Sequence, residues 1–277
     1  MFSSTDSAVP QADPRLASAY RLRLAASPVD VQAAQALRFE VFNLELDEGL
    51  VHSYDTGLDA DPFDAVCDHL LVEDTSQGTV IGTYRLQSGR TAGTGLGYYS
   101  AREFDFAPFE ALRGAIVELG RDCIDRRHRS FAVLNLLWKG IAHYAQRHGA
   151  RYLIGCSSLT PQHAAVGAAA FQQLQPHLAP SQLRTRPLDH FACPLNAAAS
   201  DAVHIPRLLA AYLALGAQIC GAPAIDTEFR SIDFLTCLDL RAKGFATLLR
   251  RWGIAAPRDR GRDRGRDQDK YFCNGFQ

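Results

Sequence analysis

Several things are scarce in this sequence. Methionine occurs once, tryptophan twice and lysine three times, at Lys139, Lys243 and Lys270. No run of about 18 uncharged apolar residues exists, so no segment reads as a membrane-spanning helix. Residues 1 to 14 are polar with two prolines and do not resemble a secretory signal. The seven cysteines are scattered and form no C-x-x-C pair, so they read as reduced core thiols in a cytosolic protein. A net charge near −1 leaves no global basic surface for nucleic acid. No internal repeat and no linker divides the chain.

What is present suffices for a large core, since 47% of the 277 residues are hydrophobic. Residues 1–17 read as a disordered leader, 18–254 as one domain, and 255–277 as a low-complexity charged tail (PRDRGRDRGRDQDK). The stretch from Ala115 to His148 organises the rest. Ile116, Val117, Leu119 and Ile124 predict a buried strand, and the turn Asp125-Arg-Arg-His-Arg129 is strongly basic. From about Ser130, Val133, Leu134, Leu137, Trp138, Ile141 and Tyr144 recur at helical spacing. A strand, a basic turn and a helix N-terminus make an anion site suited to a phosphate-bearing carrier. Residues 151–159 predict the next strand, parallel to the first.

Glu118 and Arg121 lie on the organising strand. Residues three apart alternate to opposite faces, but a bulge at Gly120 would bring both to one side. A buried ion pair or an edge-strand charge fits the same pattern. Upstream, YRLRLA (20–25) alternates as a strand. A helix runs from Pro28 to about Leu46, with Asp30 its expected cap and Arg38 and Phe42 an i, i+4 pair. Residues 47–68 form an acidic loop carrying Asp59, Asp61 and Asp64, whose rhythm is wrong for calcium. Residues 69–73 and 79–87 read as a β-hairpin, and 89–97 as a glycine-rich connection. Helices are expected at 164–174, 205–215 and 241–253, and strands at 217–219 and 232–240.

These features resemble the GNAT acyltransferase superfamily. That implies an α/β (α+β) fold with a mixed, mostly antiparallel central sheet, flanking helices and splayed central strands. The superfamily's pyrophosphate loop is glycine-rich, whereas Arg126-Arg-His-Arg-Ser-Phe131 has no glycine. A glycine-free turn argues for a single phosphodiester, acyl carrier protein rather than coenzyme A. Its acidic surface would meet Arg126, Arg127 and Arg129 beside Ser130. The pattern Arg38-x-x-Val41-Phe42, Gly57 to Asp64, Tyr84-Arg85 and Glu118-Leu-Gly-Arg121 is similar to the acyl-homoserine-lactone synthases. Asp59 stands where those usually have glutamate, and their tryptophan after the first motif is missing. The resemblance to ornithine N-acyltransferases of ornithine-lipid biosynthesis, whose relatives are often labelled hemolysin-like, covers residues 20–240. It rests on phrases such as Asp68-His-Leu-Leu-Val-Glu73, Gly82-Thr-Tyr-Arg-Leu86, Tyr98-Tyr-Ser-Ala-Arg-Glu-Phe104, Leu137-Trp-Lys-Gly-Ile141, Pro223-Ala-Ile-Asp226 and Asp233-Phe-Leu235. An asparagine-glycine common after the turn arginine is replaced by Ser130-Phe131.

The resemblance implies transfer of a (3-hydroxy)fatty acyl group from acyl carrier protein to the α-amine of L-ornithine, giving lyso-ornithine lipid. No metal, no cofactor beyond the carrier's phosphopantetheine thioester, and no covalent enzyme intermediate would be needed. Glu118 is the expected base, amides at Gly120 the oxyanion donors, and Arg121 the residue holding Glu118 ionised or fixing the bulge. The likeness to acyl-homoserine-lactone synthases implies that Arg38, Phe42, Asp61, Asp64, Arg85, Glu118 and Arg121 are active-site or structural ion-network residues. In the active-site reading Asp59, Asp61 and Asp64 would face a cationic substrate, with Arg38 or Arg85 on its carboxylate. Cys156 and Ser157 would flank the pantetheine; as nucleophiles they lack a histidine placed to activate them, and they fit a core strand. The protein would be cytoplasmic, with the inner-membrane surface as a further contact. Glycine, glutamine, tyrosine or an acyl-homoserine-lactone precursor remain alternative acceptors. An acyl-carrier-binding module and a lytic protein are the non-enzyme alternatives, the latter disfavoured by the lack of a basic amphipathic helix.

Overall fold

The computed structural model describes residues 19–160, 162–196 and 203–257. The expected leader, and the charged tail from 258 on, lie outside the described residues.

Among the described residues, eight strands form one sheet: β1 (Tyr20–Leu24), β2 (Asp68–Asp74), β3 (Thr79–Ser88), β4 (Ile116–Ile124), β5 (Tyr152–Leu159), β6 (Gln218–Ile219), β7 (Ala224–Asp226) and β8 (Ser231–Asp239). Their order is β1-β2-β3-β4-β5-β8-β6, with β7 also pairing β8. Every pairing is antiparallel except β4 with β5. β2 and β3 form the expected hairpin. β7 was not foreseen; three residues carry too little periodicity to declare a strand.

The helices are α1 (Pro28–Arg38), α2 (Gly89–Thr94), α3 (Phe131–Arg147), α4 (Ala164–Gln173), α5 (Arg207–Ala214) and α6 (Lys243–Arg251). α1 is capped by Ser27, with Asp30 as the reciprocal partner of a capping box rather than the cap itself. It continues as a π-helix over Phe39–Glu45. α2 replaces part of the expected glycine-rich connection, started by the Ser88 hydroxyl accepting from Thr91 N–H.

α3 lays Val133, Leu137, Trp138, Ile141 and Tyr144 on one face of the sheet, against Leu70, Val72, Tyr84, Leu86 and Val117. Alternation sends Arg85 and Gln87 of β3, and Glu118 of β4, to the opposite face. A second cluster built on Phe104, Phe106, Phe109, Ile154 and Leu235 packs beside them.

β4 and β5 are paired only at Ile116–Tyr152, Val117–Leu153 and Glu118–Ile154. Beyond Glu118 they part, and β5 continues on β8 alone through Leu159. The split sits where Gly155 passes Leu119; a Cβ on Gly155 would come within 2.3 Å of the Leu119 carbonyl oxygen. Only glycine permits that approach. The opening widens toward the C-terminal ends of both strands, the side on which the basic turn follows β4.

Candidate active site

The split opens into a cleft of about 340 Å³, lined among others by Phe42, Arg85, Tyr99, Glu103, Glu118, Arg121, Asp122, Cys156, Asp226 and Asp233. A smaller, mainly apolar chamber of about 40 Å³ adjoins it, walled by Leu119, Leu153, Ile154, Ala217 and Leu238 and topped by Tyr84 and Tyr212. Leu119, Asp122, Cys156, Ser157 and Tyr212 border both.

Glu118 is buried yet lines the cleft. The N–H groups of Tyr99 and Ser100 donate to its two carboxylate oxygens at 2.7 and 2.8 Å. Burial pushes its carboxyl above the usual glutamate range, and those two donors oppose the rise. A carboxylate so oriented is fixed in aim while being more basic than an exposed glutamate.

The bulge sits one residue later than the sequence suggests. Arg85 pairs with Gly120 and Thr83 with Cys123, so Arg121 and Asp122 together face Tyr84. Arg121 itself takes the left-handed conformation, with φ 51°. Gly120 has no positive φ and no atom within 4 Å of a would-be Cβ. The bulge places Glu118 and Arg121 on one side, both in the cleft. Past Glu118, no strand among the described residues pairs with the β5-facing edge of β4.

Arg121 does not bond Glu118. Its guanidinium lies 3.0 Å from Asp59, without hydrogen-bond geometry at Nη2, and 4.3 Å from the Phe229 ring centre. Phe42 approaches it from another side, at 5.6 Å, rather than pairing with Arg38. Arg38 has no exposed surface; its Nε donates to Asp59 at 2.9 Å and its Nη2 to Asp64 at 2.6 Å. Arg85 Nη1 donates to both Asp61 oxygens at 2.7 Å and to Asp64 at 3.1 Å. The acidic loop is therefore not the wall facing a cationic substrate. Asp59, Asp61 and Asp64 neutralise Arg38, Arg85 and Arg121, and none of the three lines the cleft. Arg38, with Nε and Nη2 in this network, is buried and does not line the cleft where a substrate carboxylate would sit. Fold-back of the loop, which includes Asp61 capping a 3-10 turn at Pro62–Ala65, creates this arrangement.

The acidic wall comes from residues the sequence reading left without a role. Glu103 follows a 3-10 turn at Tyr99–Arg102, Asp226 ends β7 and Asp233 sits in β8. Their only sequence signal was membership in the phrases ending Arg-Glu-Phe104, Ala-Ile-Asp226 and beginning Asp233-Phe-Leu235. Burial first, then Asp233 and Asp226, push Glu103 up to about 10. Asp122 was also missed; burial raises it to about 6, and it lies by the hydrogen-bonded Tyr84 and Tyr212 hydroxyls.

Cys156 and Ser157 line the cleft, and the Ser157 hydroxyl accepts from Thr236 at 2.9 Å. Burial, then Glu103 and Asp233, push the Cys156 thiol well above its usual value, opposite to what a nucleophile needs. The Cys156 sulfur and carboxylate oxygens of Glu103 and Asp233 lie within 4.8 Å of one another, a spacing a cation could occupy.

In the basic turn, Arg126, Arg127 and Arg129 are exposed. Arg127 pairs with Asp125 at 2.6 Å and Arg129 with Glu45 at 2.6 Å. Ser130 caps α3 by accepting from Val133 N–H at 3.4 Å.

A family description, an acetyltransferase (GNAT) domain, matches residues 37–139. An L-ornithine N(alpha)-acyltransferase of Brucella abortus is 34% identical over 236 residues, covering 79% of this chain and 84% of its own. One of Rhodobacter capsulatus is 34% identical over 241 residues, 80% of this chain and 91% of its own. Among solved structures, a CoA-dependent acyl-homoserine lactone synthase, BjaI, with SAM and isopentyl-CoA, shares the fold at TM-score 0.50 and 14% identity, covering 86% of this chain and 92% of that one. No helix among the described residues is long and apolar enough to cross a membrane. With a split β4–β5 pair opening on an oriented glutamate and relatives of this identity over four-fifths of its length, the chain is an acyltransferase that belongs to the L-ornithine N(alpha)-acyltransferase family of GNAT enzymes.

Proposed function

We propose that the enzyme moves a (3-hydroxy)fatty acyl group from the phosphopantetheine thioester of acyl carrier protein to the α-amine of L-ornithine, forming lyso-ornithine lipid. The observation that carries this reading is the Glu118 carboxylate, aimed by Tyr99 and Ser100 into the split between β4 and β5. The thioester arm would enter from the wide end of the split, passing Cys156 and Ser157. The apolar chamber beyond Leu119 would receive the start of the acyl chain. The substrate carboxylate would meet Arg121, a guanidinium that lines the cleft while ion-paired to Asp59 at 3.0 Å.

The α-amine must be neutral to attack, and with a reference near ~8 it loses its proton more readily than a side-chain amine near ~10.4. As the N–C bond forms, Glu118 takes the amine's proton, directly or through water. Unpaired backbone N–H groups on the edge of β4 would hold the oxyanion. The C–S bond then breaks, and the leaving thiolate collects the proton.

For the donor, a glycine-free basic turn suits the single phosphodiester and acidic surface of acyl carrier protein, with Arg126, Arg127 and Arg129 exposed in the turn that follows β4. The same exposed arginines give the inner-membrane surface as a secondary contact for a lipid product.

Mass spectrometry of lipids from a heterologous host expressing the chain tests the acceptor. N-acylornithine is expected; acylglycine, acylglutamine, acyltyrosine or acyl-homoserine lactone in its place would replace ornithine with the alternative acceptor. For the donor, reversing Arg126, Arg127 and Arg129 to glutamate should raise KM for acyl carrier protein by ~10-fold or more and make it insensitive to salt, sparing short soluble thioesters. Unchanged carrier kinetics would reduce those arginines to a solvated turn.

A further inference from the structure

Six carboxylates line the cleft, Glu48, Glu103, Glu118, Asp122, Asp226 and Asp233, against two guanidiniums, Arg85 and Arg121. Both guanidiniums are already neutralised by Asp59, Asp61 and Asp64. The charge imbalance concentrates at Glu103, Asp226 and Asp233, which are 3%, 5% and 4% exposed. No cation lies within ion-pair distance of any of them among the described residues. Asp226 is held by the N–H groups of Glu228 and Phe229 at 2.8 and 3.1 Å, and Asp233 by the Ser231 hydroxyl at 2.9 Å. Glu103 is different: it lines the cleft, no backbone or hydroxyl donor reaches its buried Oε2, and burial with Asp233 beside it keeps its carboxyl protonated and bonded to Asp233. A buried carboxyl with neither a cation nor a fixed donor, held neutral beside two anchored carboxylates, is relieved when an ammonium arrives.

We infer that Glu103, Asp226 and Asp233 form the seat for the side-chain ammonium of the acceptor, so that a dibasic amino acid is selected and its α-nitrogen, not its terminal one, is presented to the thioester. This assignment rests on the acyl-transfer reading above. Glu118 is anchored at Ser100 N–H, and Glu103 follows one 3-10 turn later, its N–H donating to Ser100 C=O. Glu118 and the trio line one cleft, and an extended ornithine, with five bonds of ~1.5 Å between its nitrogens, carries two amines that one cleft can receive together. With a seated ammonium, Glu103 gives its proton to solvent and pairs as a carboxylate. Facing it are Asp233 from β8, Asp226 from β7, Cys156 from β5, and Arg102 on its own turn, itself 3.5 Å from Glu228.

The test is calorimetry on the full-length protein at pH 8 with L-ornithine and L-norvaline, which lacks only the terminal amine, run in buffers of differing ionisation enthalpy. Ornithine is expected to bind ~10- to 100-fold tighter than norvaline and to release protons. Glu103→Gln and Asp233→Asn should lose that preference and the proton release. Their melting temperatures should match or exceed wild type, because like-charge crowding is relieved. Equal affinity for the two ligands would overturn the inference. So would variants that weaken both ligands alike while melting lower, the mark of a structural role. A divalent ion found bound, with ornithine preference lost on chelation, would make the trio a metal site and also overturn it. Formation of acylornithine with trio variants that bind ornithine normally removes this inference and leaves the acyl-transfer reading. Trio-dependent ornithine binding without any transfer supports the seat and removes that reading.

Discussion

Replacing Arg38 by methionine separates two readings of the same residue. The guanidinium is fully buried and satisfies Asp59 at 2.9 Å and Asp64 at 2.6 Å. Its removal leaves Asp59, Asp61 and Asp64 facing Arg85 and Arg121 alone, three buried anions against two cations. Each lost contact is worth ~4 kcal/mol at an effective dielectric of 20, partly offset because Arg38 no longer needs desolvating. The net loss expected for breaking a buried pair from one side is about 3–5 kcal/mol, a large part of a typical 5–15 kcal/mol. The urea midpoint should fall accordingly with an unchanged m-value, and Asp59→Asn on the same background should recover part of the loss. The penalty is also pH-dependent. Burial opposes ionisation of Asp64, but Arg38 and Arg85 outweigh it and hold its carboxyl well below the usual range. A depressed folded pKa contributes stability above the unfolded value of ~3.9 and loses it as pH falls toward the folded one. The gap between wild type and Arg38→Met should thus be widest near neutrality and narrow below pH ~4. A loss under ~1 kcal/mol together with a higher KM for the amino acid would refute this and turn Arg38 toward the substrate.

Glu118→Gln should lower turnover by ~10² or more with the fold retained, and wild-type rates would end its role as base. In wild type the acid limb of kcat/KM should lie above the ordinary glutamate range, because burial raises Glu118. The limb should vanish in Glu118→Gln; its loss in Asp122→Asn alone would move the base to Asp122, which titrates at about 6. Gly155→Ala pushes a methyl to 2.3 Å from the Leu119 carbonyl, so it should cost about 1–3 kcal/mol in thermal or urea unfolding and weaken donor binding. An alanine variant as stable and active as wild type would mean that the split does not depend on this close approach.

The sequence by itself determined the β4–turn–α3–β5 unit, the β2–β3 hairpin and most helix positions. Alternation and 3.6-residue periodicity are local quantities, and each of those elements is long enough to display them. It also placed Glu118 and Arg121 together, although the bulge that does so falls on Arg121 and Asp122 rather than on Gly120. Only tertiary structure decided what the charges do. Asp59, Asp61 and Asp64 read locally as an acidic loop, and the resemblance left them between a wall for a cation and a structural ion network; loop fold-back turns them onto Arg38, Arg85 and Arg121. Glu103, Asp226 and Asp233 are more than a hundred residues apart at the extremes, and nothing in their own neighbourhoods announces a partner. They meet because β7 and β8 pair and because β4 and β5 cease to pair beyond Glu118. Ion pairing and cavity lining depend on distances in space, which strand register and a single bulge set and which local sequence pattern does not carry.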